Sequence, residues 1–216
     1  MVEVYDSVEQ SERVKGWLRE NGGAIVMGLV LAFGGLFGFK QWQVWNESKS
    51  QRASAEYEVM LEQLENERLD PAVANFETLK SDFGGSAYTA LAALSMARAR
   101  VESGQADLAE SLLESVMSSG EPAPIRVIAR ERLARLKIAL GEPQAALDLL
   151  DAAPTDTGFQ SRFAEIRGDA LAALGRNEDA VAAYTEALEL QETGVGYRPL
   201  LEMKREALEA DAGANS

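Results

Sequence analysis

Residues 168–190 read GDALAALGRNEDAVAAYTEALEL, and their spacing decides the fold. Alanine and leucine, both strong helix formers, dominate on either side of Gly175. A glycine just past an apolar-periodic segment ends a helix, so two helices joined by a tight turn are expected. In the second helix Ala180, Tyr184 and Ala187 fall on one face. The small residue lets a neighbouring helix approach, and the large one fills the space beside it.

The same arrangement recurs upstream. Ala72, Ala109, Ala146 and Ala180 stand 37, 37 and 34 residues apart. Phe76, Leu113, Leu150 and Tyr184 follow them at a constant offset, and Leu79, Val116, Ala153 and Ala187 follow in turn. Gly104, Gly141 and Gly175 precede three of the four in register. A period of this length is that of a helical repeat, whose units bury their apolar faces only by stacking. The predicted helices are 40–68, 71–82, 86–103, 105–118, 123–140, 143–152, 159–175, 177–190 and 197–211. The last, with Leu200, Leu201, Met203 and Leu208, caps the open end of the stack.

A different pattern occupies the N-terminal part. From Gly22 to Phe39 the chain reads GGAIVMGLVLAFGGLFGF, without a charge. A helix of that length covers about 27 Å, close to the hydrocarbon thickness of a bilayer. Trp17, Trp42 and Trp45 flank the run where amphipathic rings favour interfaces, and Arg19 and Lys40 can reach outward to headgroups. Beyond it stands Lys-Gln-Trp-Gln-Val-Trp, with no small-residue cleavage site, so a signal anchor is expected rather than a cleaved signal peptide. The expected organisation is a short cytoplasmic tail at 1–21, a transmembrane anchor at 22–39, a juxtamembrane helix at 40–51 and a repeat domain at 52–216. The fold class is all-α: one N-terminal transmembrane helix, an α-solenoid of about four helix pairs and a C-terminal capping helix.

Charge orients the anchor only weakly. Arg13, Lys15 and Arg19 precede it and Lys40, Lys49 and Arg52 follow, with the first group closer to the span. In the tail, Glu3, Asp6, Glu9, Glu12 and Glu20 outnumber the basic residues, so a partly ordered segment is expected rather than a helix bound to anionic lipid. Within the span, Ala24, Gly28, Ala32, Gly35 and Gly38 share roughly a third of the helix circumference. Such a face either admits a partner helix or is glycine tolerated in a membrane.

Composition removes several function classes. The chain has 35 acidic and 21 basic side chains, a net charge of −14, and neither cysteine nor histidine. Ser-His-Asp triads, HExxH zinc proteases, thiolate zinc sites and disulfide frameworks are thereby excluded. So acidic a surface does not suit nucleic acid. The carboxylates recur at helical spacing between apolar residues, as in Glu202, Glu206 and Glu209, which is the pattern of a solvated face. Gly34-Gly35-x-x-Gly38 lies inside the apolar run, where no nucleotide reaches. No catalytic residue, cofactor or metal is expected.

Gly168-x-x-Leu171, Gly175, Ala180, Tyr184 and Ala187 resemble the tetratricopeptide repeat. Glu192 stands where the repeat usually ends in proline, and Ala97, Ala134 and Met60 replace the first-helix glycine in the other copies. A narrower resemblance covers nearly the whole chain. Lys15-Gly16-Trp17-Leu18, Glu20-Asn21-Gly22, the glycine-rich span, Trp42 and Trp45 are followed by Tyr88-x-Ala90-Leu91-Ala92-Ala93-Leu94. Then come Ile128-Ala129-x-x-Arg132-Leu133-Ala134-Arg135 and Arg167-Gly168-Asp169-Ala170-Leu171. This order is similar to the YfgM family of ancillary Sec-translocon subunits. The resemblance implies a single-pass inner-membrane protein with a cytoplasmic N-terminus and a periplasmic repeat domain. Its implied partners are the Sec channel subunits, a membrane-anchored periplasmic chaperone resembling a prolyl isomerase, and the bilayer through one helix. The implied role is to link the channel to periplasmic chaperones for exported proteins. A tetratricopeptide scaffold for another envelope complex (division, envelope synthesis or cytochrome maturation) would need the same anchor and stack.

The repeat resemblance also nominates a partner-binding groove. The first helix of each pair lines the concave face, with positions five and nine often facing into it. These are Leu94, Glu131 and Glu165 at position five and Arg98, Arg135 and Asp169 at position nine. Arg98 and Arg135 are expected either to form a local basic patch for a partner's carboxylates or to pair with Glu131 and Glu165 along the groove.

Overall fold

The first proline of the chain is Pro71, so nothing in the preceding residues removes a helical hydrogen bond. In the computed structural model, which describes residues 3–154, 158–191 and 198–214, the chain is helical from its third residue. Helix α1 runs Glu3–Glu65 and takes in the described part of the expected tail with the anchor and juxtamembrane segments, so residues 3–21 are helical where partial order was expected. The others are α2 Leu69–Phe83, α3 Ala87–Glu102, α4 Ala106–Ser119, α5 Ala123–Ala139, α6 Pro143–Asp151, α7 Gln160–Ala173, α8 Asn177–Leu190 and α9 Arg198–Ala214. No strand occurs among the described residues.

By its contacts the chain divides into two units, Met1–Gln51 and Arg52–Ser216. In the first, Met27, Leu31, Phe33, Leu36 and Phe37 are 61–74% exposed, so the apolar run is not a buried core helix. No single helix among the described residues is long and apolar enough to cross a membrane. Ser11–Ala24 and Val26–Glu65 pass that test together, with a bend of 46° between them. The bend falls beside Gly22-Gly23, where the missing Cβ atoms weaken the helix.

In the second unit α2 to α9 each pack on the next. The turns inside the helix pairs repeat one geometry. Gln105 N donates to Arg100 O at 2.8 Å and Gly104 N to Val101 O at 3.0 Å, a Schellman turn with Gly104 at φ +75°. The same pair of bonds recurs around Gly141 and Gly175, at φ +80° and +73°. A fourth copy closes α1, and there the left-handed position is Glu67 at φ +57°. The four turns are spaced 37, 37 and 34 residues apart, the same intervals as the small-residue positions.

Ala72, Ala109, Ala146 and Ala180 are fully buried. In the last copy the large residue packs opposite a position in the first helix of its pair. A Cβ built on Gly168 would lie 2.5 Å from the Tyr184 ring, so glycine is required where the large residue is tyrosine. Its counterparts in the register, Ala97 and Ala134, are buried in the same core clusters as the smaller Leu113 and Leu150. The core falls into two clusters. Ile125, Ala129, Leu133 and Leu136 of α5 join the one built from α1 to α4. Val127 and Ala134 join the one built with α6 to α9.

Two stability predictions follow from these contacts. Glu67→Gly relieves a left-handed non-glycine residue and should stabilise the 52–216 unit by about 0.5–1 kcal/mol, read as a higher Tm. Gly168→Ala should destabilise it by about 1–3 kcal/mol, because the Tyr184 ring must leave its place. A Gly168→Ala melting temperature equal to that of the native chain would overturn the register.

Candidate partner-binding groove

The carboxylates of the groove come from two helices. Glu131 on α5 and Glu165 and Asp169 on α7 stand with side chains only 12%, 19% and 22% exposed. Three such charges together need counter-charges, because partial burial strengthens their repulsion. Arg135, one turn after Glu131, reaches all three carboxylates: Nε to Glu131 at 3.6 Å, Nη2 to Glu165 at 3.5 Å and Nη1 to Asp169 at 3.8 Å. Arg162 Nη1 adds a contact to Glu131 at 3.4 Å. From α9, Lys204 Nζ donates to Glu165 at 3.0 Å and to Asp169 at 2.8 Å, ion pairs that tie the capping helix to α7.

Tyr184 closes the cluster from below. Its hydroxyl donates to Asp169 Oδ1 at 2.8 Å, and Lys204 Nζ lies 5.8 Å from its ring centroid. Burial first, then the Asp169 bond and the negative charges of Asp169 and Glu165, push the phenol well above its ordinary range. It therefore stays a protonated donor at any physiological pH. Among the described residues no group of acidic side chains is arranged to hold a metal ion.

The six residues expected in the groove do not all meet. Glu131, Arg135, Glu165 and Asp169 converge. Leu94 is 3% exposed and belongs to the core; its carbonyl accepts from Arg132 Nη1 at 3.2 Å. Arg98 pairs with Glu102 at 2.7 Å, on its own helix and largely in solvent, rather than with Glu131. Arg98 and Arg135 do share one cleft of about 500 Å³, together with Arg132 and over a floor that includes Ala97, Leu113 and Leu136. The membrane-face candidates Ala24, Gly28, Ala32, Gly35 and Gly38 are exposed on α1, and a Cβ at any of the three glycines would meet nothing within 4 Å.

Sequence reasoning missed Arg132, Lys204 and the polar role of Tyr184. For Arg132 a signal existed: α5 carries Arg126, Arg130, Arg132, Arg135 and Lys137 against Glu131 alone, in a chain of net charge −14. Lys204 lies outside the repeat period, so no register could place it.

The geometry separates two arginines that look alike in sequence. Arg135→Gln leaves three half-buried carboxylates less compensated and should lower the stability of the 52–216 unit by about 1–2 kcal/mol. Arg98→Gln removes one exposed helix pair and should change it by less than about 0.5 kcal/mol. Thermal melts of the two variants check this, and equal effects would mean that the cluster adds nothing.

The comparisons with known proteins agree with this architecture. The tetratricopeptide repeat-like domain family matches residues 15–210, a stretch that begins ahead of the apolar run. An ancillary SecYEG translocon subunit of Aggregatibacter actinomycetemcomitans is 30% identical over 88% of this chain and 92% of its own length. Those of Haemophilus influenzae and Escherichia coli are each 27% identical, over 87% and 85% of this chain and 91% and 88% of their own lengths. Among solved structures, residues 41 to the end of MamA from Desulfovibrio magneticus RS-1 superpose with a TM-score of 0.52 at 14% identity. They cover 73% of this chain and 89% of that one, a likeness of fold. Matched over nearly its whole length by repeat family and relatives alike, the chain belongs to the tetratricopeptide repeat-like family that includes the ancillary SecYEG translocon subunits.

Proposed function

We propose that this protein is a non-catalytic ancillary subunit of the Sec translocon, held in the bacterial inner membrane by α1. Its N-terminus lies in the cytoplasm, and its repeat domain, residues 52–216, lies in the periplasm. There it links the channel to periplasmic chaperones, among them a membrane-anchored one resembling a prolyl isomerase. The observation that carries this reading is the near full-length match to relatives named as ancillary SecYEG translocon subunits. The exposed apolar side chains of α1 support the anchor, because such a surface needs lipid or protein to cover it.

The decisive experiment is purification of the full chain from native membranes in mild detergent. The channel subunits should accompany it and should be lost when residues 22–39 are replaced by an unrelated transmembrane helix. Their absence from the native preparation would favour a scaffold of another envelope complex. Topology is tested separately. Ser118 is exposed on α4 and the chain has no native cysteine, so Ser118→Cys should react with an impermeant thiol reagent in intact spheroplasts. Labelling only after lysis would put the repeat domain in the cytoplasm.

A further inference from the structure

A second cleft, of about 550 Å³, lies on a different face of α3 from the arginine cleft. Its walls are α2 and α4, which both pack on α3 but stand apart from each other. The floor is apolar: Phe76, Ala90, Ala93 and Met96 are 5%, 8%, 7% and 1% exposed. At the rim Leu108 is 50% exposed, with Val73 opposite it and Leu112 one turn on, both partly buried. In the repeat register the counterparts of Leu108 are Pro71, Ala145 and Asp179, so this leucine stands only where the cleft opens.

We propose that this cleft is a docking groove for an amphipathic helix of a partner protein, with its apolar face down and a carboxylate at one end. Three observations carry the assignment. Ser111, Ser115 and Ser119 recur every fourth residue along the α4 wall. The hydroxyls of Ser111 and Ser119 donate back to Asp107 O and Ser115 O at 3.0 and 2.9 Å, so they need no partner from a ligand. A row of small side chains at that spacing is a groove into which another helix sets its own ridge. An extended strand is disfavoured, because helical walls offer no free backbone edge for it to pair with. Charge supplies the remaining specificity. Glu77 pairs with Lys80 at 3.0 Å and Glu121 with Arg126 at 2.9 Å. Arg100 donates to Gln105 and has no carboxylate partner among the described residues. The groove thus ends in one cation that a partner's Glu or Asp can satisfy.

The proposal is independent of the translocon reading, since it names the chemistry of the occupant and not its source. The test uses the full chain in lipid nanodiscs and a fluorescent synthetic peptide. The peptide is helix-favouring, with leucines at heptad spacing on one face and a pair of glutamates at one end. Saturable binding is expected to the loaded nanodiscs and not to empty ones. Leu108→Glu and Arg100→Glu should each weaken it by at least about tenfold. A peptide with lysines in place of the glutamates should recover binding to Arg100→Glu, a charge reversal that misfolding cannot mimic. Ser111→Trp, which fills the row on an exposed face, should weaken it as well. The proposal is overturned if the peptide binds empty nanodiscs equally or if Leu108→Glu binds like the native chain. It is also overturned if binding is lost instead in the Arg98→Gln, Arg135→Gln double variant, which would move the site to the other cleft.

Discussion

The repeat domain depends on one steric constraint: the close packing of paired helices, which a small residue on the second helix of each pair permits. Ala72, Ala109, Ala146 and Ala180 are fully buried at these places, and Gly168 leaves no room for even a methyl group beside Tyr184. Close approach is possible only if each turn reverses the chain in a few residues, which the Schellman geometry at Gly104, Gly141 and Gly175 does. Small residue, large residue and turn therefore share a single period. Changing one member of a set alters the space that the other two must fill.

Helix α5 is where the two halves of the stack meet. It is the most basic helix of an acidic chain, yet most of its cations are used internally. Arg130 caps Leu149 O at 2.7 Å, Arg132 caps Leu94 O at 3.2 Å, and Lys137 bridges Glu110 and Glu142 at 2.6 and 2.7 Å. These hydrogen bonds raise the Lys137 ammonium above its ordinary pKa, so it stays charged wherever the fold persists. With one set of apolar residues in each core cluster, α5 couples the first two helix pairs to the last two through both packing and charge.

The two clefts differ in what they offer a partner. The arginine cleft presents guanidinium groups at its rim, beside carboxylates that are already compensated by Arg135, Arg162 and Lys204. The α2–α4 cleft presents an apolar floor, a row of serines and, besides the Lys80–Glu77 pair, the Arg100 cation without a carboxylate partner among the described residues. A solenoid suits such a division, because each repeat touches only its neighbours and its faces can diverge without disturbing the stack.

Sequence by itself determined the helical class, the repeat period, the turn glycines and the apolar run, because each depends on residues near one another in the chain. The bounds expected for α2 to α8 lie within two residues of those observed, for the same reason, while α9 runs three residues past its expected end. It determined membership of the groove only in part. Position numbers brought Glu131, Arg135, Glu165 and Asp169 together, since helical spacing carries a residue to a given face. Arg98 takes Glu102 one turn along its own helix, a local pairing, whereas the turn of Leu94 into the core and the crossing of Lys204 from α9 to α7 were decided by the tertiary structure alone. Those outcomes depend on how far neighbouring helices splay, a distance set by the sum of the packed side chains and carried by no single residue.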